Sequence, residues 1–319
     1  MNYLVTGGAG FIGSHYIKFL LGYDPKAKIV NLDKLTYAGR LENLREIEKN
    51  PNYKFIKGDI CDKETVSKAM DEAEIVVNFA AESHVDRSIE NAADFIKTDV
   101  LGAYVLLEEA KKNKVKKFIQ ISTDEVYGSI EEGKFFEDKS VLMPRNPYSA
   151  SKAGADRLAY SYHATYGLPV IITRSCNNYG SHQFPEKVIP LFITNLLKGK
   201  KVPLYGDGLN VRDWLYVKDN CEAIQLCIEK GENGEVYNIS AGNEIKNIEL
   251  TKTILEELEQ GKEMIEYVKD RLGHDRRYSL DSNKIKRLGW KPKTEFQKGI
   301  RETIKWYKDN EWWWNPLVK

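Results

Sequence analysis

The segment Tyr148–Lys152 (YSASK) places a phenol and an ammonium group four positions apart. Side chains with this spacing lie on the same face of an α-helix. A nearby cation stabilises a phenolate, so we expect Lys152 to lower the pKa of Tyr148 toward neutral pH. Tyr148 would then serve as a general base toward a substrate hydroxyl group. The same pair is also typical of an exposed helix surface, so a second signal is needed.

Two adjacent acids, Asp124 and Glu125, follow Thr123 directly after the strand-like segment Phe118–Ser122. In an open α/β sheet, the carboxyl ends of the strands border the ligand crevice. Two carboxyl groups at this place could act as a general acid and a general base. They are equally typical of a solvated polar loop, and these residues alone leave both interpretations open.

A glycine-rich turn at Thr6–Gly13 (TGGAGFIG) follows one strand-like segment and begins a helix-like one. Gly7, Gly10 and Gly13 have the spacing that brings a main chain close to a pyrophosphate, which the helix N-terminus then attracts. Asp33 lies about 20 residues further on, where a carboxylate binds the adenosine ribose and repels a 2′-phosphate. The turn therefore predicts a dinucleotide site that prefers NAD to NADP.

Apolar β-rich segments alternate with helical patterns through the first half of the chain. The predicted strands are Tyr3–Thr6, Ile29–Leu32, Tyr53–Lys57, Ile75–Phe79, Phe118–Ser122 and Val170–Arg174. The predicted helices are Ile12–Leu21, Lys63–Asp71, Ala92–Lys112 and Ser149–Tyr166. This alternation predicts an α/β fold, a doubly wound Rossmann-type parallel sheet with helices on both faces.

The alternation changes after Ser181, where proline and glycine separate shorter elements. We therefore expect an NAD-binding domain over 1–180 and a smaller, discontinuous substrate domain over 181–319. Two later strand-like segments, Asp213–Val217 and Val236–Ile239, are expected to return to the main sheet. The first domain would then also receive residues near 211–240.

The chain has 319 residues and a net charge of +1, which argues against a general nucleic-acid-binding protein. The basic run Lys111–Lys117 is typical of a solvated helix end. No apolar run approaches the roughly 20 residues of a membrane span. The four cysteines lack metal-ligand spacing, so we expect no metal and free thiols in a reducing, cytoplasmic location. The aromatic segment Glu311–Asn315 is expected to pack on its own domain or on a partner subunit.

The glycine turn, the Thr123–Glu125 segment and the Tyr148/Lys152 pair together resemble the extended short-chain dehydrogenase/reductase family, in its nucleotide-sugar branch. Within that branch, the similarity is to the 4,6-dehydratases that act on dTDP-sugars, and it extends over nearly the whole chain. Five further stretches contribute to it: Ala80–Ser88, Asn177–Gly180, Phe184–Lys187, Arg212–Val217 and Asp270–Tyr278.

The resemblance implies a lyase that converts dTDP-glucose to dTDP-4-keto-6-deoxyglucose and water with a recycled NAD. Tyr148 would take the C4 hydroxyl proton as hydride leaves C4, with Thr123 at the C4 oxygen and Lys152 at the nicotinamide ribose. Glu125 would then remove the C5 proton while Asp124 protonates the departing C6 hydroxyl, before hydride returns to C6. The related 4-epimerases, which eliminate no water, typically lack these two acids.

The resemblance also implies a homodimer and two sets of binding residues. For the cofactor these are Gly7, Gly10, Phe11, Ile12, Gly13, Asp33, Lys34, Leu35, Thr36, Asp59, Ile60, Ala80, Ala81, Thr98, Tyr148, Lys152 and Asn178. For the nucleotide sugar they are Ser83, Thr123, Asn177, Lys187, Val188, Pro203, Leu204, Tyr205, Arg212, Asn247, Arg271 and His274. Lys187, Arg212 and Arg271 suit a diphosphate electrostatically.

Three alternatives remain at the level of the sequence. The chain could act on a UDP- or CDP-sugar, or it could be a 4-epimerase, which forms no 6-deoxy sugar. It could also be a non-catalytic NAD-binding sensor. The presence of Tyr148, Lys152, Asp124 and Glu125 argues against the sensor, because a sensor needs no acid–base residues.

Overall fold

The structure, a computed structural model, describes residues 1–318. In chain order its strands are Asn2–Thr6 (β1), Lys28–Asp33 (β2), Tyr53–Lys57 (β3), Ile75–Asn78 (β4), Lys117–Thr123 (β5), Val170–Ser175 (β6), Asn177–Tyr179 (β7), Val202–Tyr205 (β8), Val211–Tyr216 (β9), Val236–Ile239 (β10), Glu244–Lys246 (β11) and Ile265–Val268 (β12). Each of the six strands predicted in the first half of the chain is present.

The α-helices are Phe11–Tyr23 (α1), Lys63–Met70 (α2), Val85–Glu90 (α3), Ala92–Phe95 (α4), Ala103–Asn113 (α5), Pro147–Tyr166 (α6), Val188–Leu197 (α7), Val217–Lys230 (α8), Asn247–Glu257 (α9), Asn283–Arg287 (α10), Phe296–Asp309 (α11) and Glu311–Trp314 (α12). Short 3₁₀ helices span Leu41–Ile47, Asp124–Tyr127, Lys262–Met264 and Asn315–Leu317. None of the helices in residues 1–318 has the length and apolar character needed to cross a membrane.

The main sheet has seven strands in the order β10-β6-β5-β4-β1-β2-β3. Every neighbouring pair in it is parallel. The order 3-2-1-4-5-6 is that of the doubly wound dinucleotide-binding fold, here with β10 added at one edge. The predicted fold class is therefore confirmed, and the carboxyl ends of β1, β2, β4, β5 and β6 all meet at one side.

Successive residues of β1 pack on opposite faces of this sheet, as strand geometry requires. Tyr3 and Val5 lie in a buried cluster with residues of α1 and α8, such as Leu20 and Ile224. Leu4 lies in a second cluster with residues of α2, α5 and α6. Because both faces are covered by helices, the strands read as continuous apolar runs in the sequence.

A second lobe, which we call the C-terminal lobe, consists of α7, α9, α11, α12 and two small sheets. One sheet has the order β11-β9-β7 and the other pairs β12 with β8. Tyr179 of β7 and Trp214 and Tyr216 of β9 belong to its buried cluster, together with the apolar faces of the three longer helices. The division of the chain into domains at residue 180 remains a prediction.

The expectation that Asp213–Val217 returns to the main sheet is wrong. These residues lie in β9 and at the start of α8, and β9 pairs with β7 and β11. The buried aromatic side chains of Trp214 and Tyr216 hold β9 in the C-terminal lobe. Only the later segment Val236–Ile239 returns, as β10 parallel to β6.

The helix predicted over Ala92–Lys112 is present but is not α-helical throughout. A π-helical segment, Ile96–Gly102, separates α4 from α5. Such segments are rare and occur frequently at functional sites. This one brings Thr98 and Asp99 toward the start of α6, where the predicted Tyr148 and Lys152 lie.

The aromatic segment near residue 313 joins the C-terminal lobe to the glycine turn. Trp313 and Trp314 are buried in the lobe's cluster, whereas Trp312 is exposed. The indole N–H of Trp313 donates to Asn43 Oδ1 at 2.9 Å. The side-chain amide of Asn43 in turn donates to the carbonyl oxygen of Ala9 at 2.9 Å. The segment therefore packs on its own chain, which is one of the two alternatives expected from the sequence.

Candidate active site

A cavity of about 450 Å³ lies where the carboxyl ends of the main-sheet strands face the C-terminal lobe. Every residue predicted for catalysis, for the cofactor and for the nucleotide sugar borders this cavity, except Leu35. The side chain of Leu35 packs against the buried cluster on the α1/α8 face instead. Its main-chain N–H donates to Asp33 Oδ1 at 2.8 Å, so Leu35 supports Asp33 rather than facing the cavity.

The glycine turn allows no side chains at two of its positions. Gly7 has φ +66°, and a Cβ there would lie 2.6 Å from the main-chain nitrogen of Ala80 on β4's loop. A Cβ at Gly13 would lie 2.4 Å from the carbonyl oxygen of Gly7. Helix α1 begins after Gly10 without a side-chain cap, so its first N–H groups face the cavity. This geometry suits a pyrophosphate.

Asp33 is held rigidly at the end of β2. Its Oδ2 accepts the N–H of Ala9 at 2.9 Å, and its Oδ1 accepts that of Leu35. Burial raises the pKa of Asp33, and these two hydrogen bonds oppose that shift. A carboxylate fixed beside the glycine turn suits the hydroxyl groups of an adenosine ribose. Beyond it, Lys34 forms an ion pair with Asp59 at 2.7 Å.

Several buried polar atoms at the cavity have no hydrogen-bond partner among the described residues. They include Asn177 Oδ1, Asn178 Oδ1, Asp124 Oδ2, Asn247 Oδ1 and Arg271 Nε. Buried polar groups are otherwise almost always paired. These side chains therefore fit a polar ligand that extends along the cavity, as a dinucleotide and a nucleotide sugar would.

The two predicted acids occupy different surroundings in the 3₁₀ helix after β5. Asp124 is 2% exposed, and its Oδ1 accepts the hydroxyl of Thr123 at 3.1 Å. Burial, followed by the charge of Glu125, raises the pKa of Asp124 to about 8. Glu125 is half-buried, and its Oε2 accepts the side-chain amide of Asn146 at 3.2 Å. Near neutral pH, Asp124 is thus protonated.

Tyr148 and Lys152 lie on the first turns of α6, which Asn146 caps by accepting the N–H of Ser149 at 2.8 Å. Lys152 is buried, and its ammonium group donates to the carbonyl oxygen of Ile121 at 2.7 Å. The hydroxyl of Tyr148 forms a hydrogen bond with Thr123. Phenol, ammonium and both acids therefore face one cavity, as the spacing predicted.

The expectation that Lys152 lowers the pKa of Tyr148 is wrong for this arrangement. The pKa of Tyr148 lies well above its usual value of 10, because the phenol is buried and the carboxyl groups of Glu125 and Asp99 act on it. The hydrogen bond with Thr123 opposes this shift only in part. The ammonium group of Lys152 donates to a main-chain oxygen, and Lys152 is not among the groups with the largest effects on the pKa of Tyr148.

Two cationic side chains predicted to bind the nucleotide sugar, Lys187 and Arg212, donate hydrogen bonds to main-chain carbonyl oxygens. Lys187 donates to the carbonyl oxygen of Ser83 at 2.6 Å, and burial lowers the pKa of its ammonium group. Arg212 is 5% exposed and donates to the carbonyl oxygen of Asp275 at 2.8 Å. The guanidinium group of Arg212 also lies 4.3 Å from the centre of the Tyr278 ring. These cations face the cavity and suit the phosphates of a nucleoside diphosphate.

Comparison with known proteins agrees with this geometry. A family model described as GDP-mannose 4,6 dehydratase matches residues 4–303. The dTDP-glucose 4,6-dehydratase of Streptomyces antibioticus is 53% identical over 100% of this chain and 96% of the relative. The chain belongs to the dTDP-glucose 4,6-dehydratase family.

Solved structures of the dTDP-glucose 4,6-dehydratase family have the same fold. DesIV, the dTDP-glucose 4,6-dehydratase of Streptomyces venezuelae solved with NAD, superposes with a TM-score of 0.98 at 49% identity, each chain covered over 100%. The UDP-glucose 4-epimerase of Thermotoga maritima superposes with a TM-score of 0.90 at 34% identity, over 98% of this chain and 100% of that one. The fold alone therefore does not separate the dehydratases from the epimerases.

In this member of the dTDP-glucose 4,6-dehydratase family, sequence reasoning missed residues that hold others in place. Asn146 both caps α6 and binds Glu125, and the pattern Asn-Pro before a helix would have indicated the cap. Asp275 is fully buried and accepts the hydroxyl of Tyr278 at 2.6 Å. Asp99 accepts the hydroxyl of Ser151 at 2.6 Å. No local pattern indicates the contact of Asp99 with Ser151, because these residues lie 52 positions apart in the chain.

Proposed function

We propose that this chain is a lyase that converts dTDP-glucose to dTDP-4-keto-6-deoxyglucose and water. The observation on which the proposal chiefly rests is the pair Asp124 and Glu125 beside Tyr148, one acid protonated near neutral pH and the other open to the cavity. Oxidation at C4 without elimination would need only one acid–base residue, Tyr148. Elimination of water across C5 and C6 needs a further base and a further acid, and this cavity contains both.

NAD held along the glycine turn would supply the hydride acceptor for C4 and the hydride donor for C6, so none would be consumed. Phe11 and Ile12 at the start of α1 would face its phosphates, and Asp33 would bind the adenosine ribose. Thr98, Lys152 and Asn178 would lie at the nicotinamide end, and Lys152 would hold that ribose. The remaining predicted cofactor residues, apart from Leu35, border the same part of the cavity.

The first step is oxidation at C4. Thr123 donates a hydrogen bond to the C4 oxygen, and Tyr148 takes the C4 hydroxyl proton as hydride leaves that carbon. The phenol is a weak acid in its surroundings, so the positive charge that oxidised nicotinamide brings when bound would favour the phenolate. The resulting ketone makes the proton at C5 acidic.

Elimination and reduction follow. Glu125 removes the C5 proton, and Asp124 gives its proton to the departing C6 hydroxyl, which leaves as water. Hydride then returns to C6, and Glu125 returns the proton to C5. Tyr148 still holds the C4 hydroxyl proton and Asp124 lacks the proton that left with water, so the transfer of one proton from Tyr148 to Asp124 by way of solvent restores both groups. Lys187, Arg212 and Arg271 bind the diphosphate through charge-assisted hydrogen bonds.

The test is incubation of the purified protein with dTDP-glucose and no added cofactor. We expect loss of one water from the nucleotide sugar by mass spectrometry, together with the alkaline absorbance of a 4-keto-6-deoxy sugar. A product of unchanged mass would indicate 4-epimerisation instead. Conversion of UDP- or CDP-glucose but not of dTDP-glucose would overturn the proposed nucleobase. NAD bound without turnover of any of these sugars would favour the sensor.

We also propose a homodimer in the cytoplasm. Ile96, Leu101 and Tyr104, on the helical run from α4 to α5, and Tyr160, on α6, are large apolar side chains that are at least 44% exposed. These helices pack side by side against the main sheet, so a second copy could cover them. Light scattering at several concentrations tests this, and Tyr104→Glu is expected to yield monomers.

The cytoplasmic location is supported by the four cysteines, all of which are free thiols. The product is a precursor from which 6-deoxysugars such as rhamnose are made, so we expect the protein to act early in a deoxysugar pathway. Fractionation of the source cells tests the location, and recovery of the protein with secreted or envelope fractions would contradict it.

A further inference from the structure

Asp99 is a buried carboxylate that the proposed reaction leaves without a role. It lies in the π-helical segment Ile96–Gly102 and is 3% exposed. Its Oδ1 accepts the main-chain N–H of Glu82 at 2.9 Å, and its Oδ2 accepts the hydroxyl of Ser151. Burying a carboxylate costs free energy even when it is hydrogen-bonded. Its presence here therefore calls for a function.

The contacts of Asp99 lead directly to the predicted catalytic helix. The Ser151 hydroxyl lies 2.6 Å from Asp99 Oδ2 and 2.8 Å from the carbonyl oxygen of Tyr148. Phe95, one turn before Asp99 on the same helical run, packs edge-on against the Tyr148 ring at 6.3 Å. Asp99 thus fixes the first turn of α6, the turn that presents Tyr148 and Lys152 to the cavity.

The charge of Asp99 acts on the same two residues. Lys152 is the cation that acts on Asp99, and it opposes the effect of burial. The groups that act on Tyr148 are Glu125, Asp99 and Asp124, all of which disfavour its phenolate. Glu82 is half-buried nearby, and its own pKa is raised by burial and then by Asp99. Of these groups, Asp99 is bonded to Ser151 within the helix of Tyr148, whereas Glu125 is bonded to Asn146, the residue that caps it.

We propose that Asp99 is a positioning residue whose carboxylate sets the pH range in which Tyr148 accepts the substrate proton. The inference rests on the proposed function, because it concerns the C4 oxidation step. Asp99 touches neither the reacting atoms nor the phenol oxygen. It acts through Ser151 and through its charge, which keeps the phenol protonated over a wider pH range.

Asp99→Asn separates the charge from the geometry. The amide oxygen can still accept the N–H of Glu82, and the amide nitrogen can donate to Ser151 Oγ. The Ser151 hydroxyl then donates to the carbonyl oxygen of Tyr148, with which it is already in contact. The fold of the first turn of α6 is therefore retained while one negative charge is lost. Ser151→Ala does the opposite, because it removes the bridge and leaves the charge.

The experiment is a profile of kcat against pH for dTDP-glucose with the wild type, Asp99→Asn and Ser151→Ala. We expect the acid-side limb, which reports ionisation of Tyr148, to move about one pH unit lower in Asp99→Asn. Ser151→Ala should lower the maximal kcat and leave the pH of the acid-side limb unchanged. Glu109→Gln is the matched control, since Glu109 is a buried carboxylate on α5 that does not border the cavity. It should leave the limb unchanged.

Asp99→Ser is a second neutral variant and should shift the limb in the same direction. A limb that stays at its wild-type position in an active Asp99→Asn protein would overturn the inference and leave the proposed function intact. Failure of both neutral variants to fold would also overturn it, in favour of a purely structural role. A wild type that turns over no dTDP-glucose at any pH would overturn the inference and the proposed function together.

Discussion

Asp124 and Glu125 are adjacent in sequence, but only Asp124 is closed off from solvent, at 2% exposure. The 3₁₀ turn directs the Asp124 side chain toward Thr123 and buries it, whereas Glu125 reaches the amide of Asn146 at the start of α6. One short turn thus gives two like groups different surroundings. This is the condition under which two carboxyl groups can serve as acid and base in one step.

Glu125→Gln should separate oxidation from elimination. The amide cannot remove the C5 proton, so we expect turnover to fall by roughly 10²–10⁴-fold. Oxidation at C4 does not need Glu125, so reduced nicotinamide should accumulate on the protein when dTDP-glucose is added. Stopped-flow absorbance of the reduced cofactor measures this. Glu131→Gln, an exposed carboxylate after the same turn, is the control. Full turnover by Glu125→Gln would show that the base at C5 is another residue.

Asp124→Asn should change how stability depends on pH. The pKa of Asp124 is raised from 3.8 to about 8 in the folded protein. Between these values the folded chain holds a proton that the unfolded chain releases, so the stabilisation present at low pH is lost as pH rises toward 8. The variant lacks this dependence. Relative to the wild type, we expect it to gain on the order of 4 kcal/mol between pH 5 and pH 8.

Thermal unfolding of both proteins at the two pH values provides the measurement for Asp124→Asn. A parallel change of Tm with pH in the wild type and the variant would contradict the raised pKa. Asp207→Asn is a useful comparison, because the Arg276 ion pair lowers the pKa of that exposed carboxyl instead. It should not produce a gain at pH 8.

Gly7→Ala should abolish cofactor binding and destabilise the fold. The new Cβ would meet the main chain of Ala80 at 2.6 Å, and the left-handed φ of +66° adds strain of about 1–3 kcal/mol. Gly22→Ala in α1 is the matched control, since no atom lies within 4 Å of its Cβ position. There we expect a gain of about 0.5–1 kcal/mol. Urea unfolding of both variants measures the change in stability, and their bound NAD content measures cofactor binding. A Gly7→Ala protein that retains NAD would refute the predicted loss of binding.

Asp156→Ala should be among the most destabilising single changes in the molecule. Asp156 of α6 is fully buried and forms an ion pair with Arg174 of β6 at 2.9 Å. The same guanidinium group donates at 2.7 Å to the hydroxyl of Tyr127, which lies two positions after Glu125. Removing one partner leaves a buried charge unpaired, at a cost of about 3–5 kcal/mol. Denaturant titration measures the loss. The double variant Asp156→Ala, Arg174→Met should recover part of it.

Local patterns were sufficient for the main sheet and the glycine turn. Tyr3–Val5 and Val170–Ile172 are unbroken apolar runs, and a strand covered on both faces has that composition wherever it occurs. Asp33 was found because its distance from Gly13 follows from one βαβ unit. In these cases the determining interactions lie within about thirty neighbouring residues.

Contacts between distant segments could not be read in this way. Segment Asp213–Val217 has the composition of any buried strand, and only its aromatic partners in the C-terminal lobe decide which sheet it joins. The pKa of Tyr148 was misjudged for a similar reason. Its spacing from Lys152 is local, but the charges that dominate it come from Glu125 and from Asp99 on another helix.

The hydrogen bond from Trp313 to Asn43, and from Asn43 to Ala9, has a consequence for the order of events on the ribosome. The glycine turn is synthesised about 300 residues before Trp313. At about 5–20 residues per second, the turn exists for at least roughly 15 seconds before this support can form. We therefore expect the nascent chain to bind its dinucleotide tightly only after its aromatic segment has left the exit tunnel.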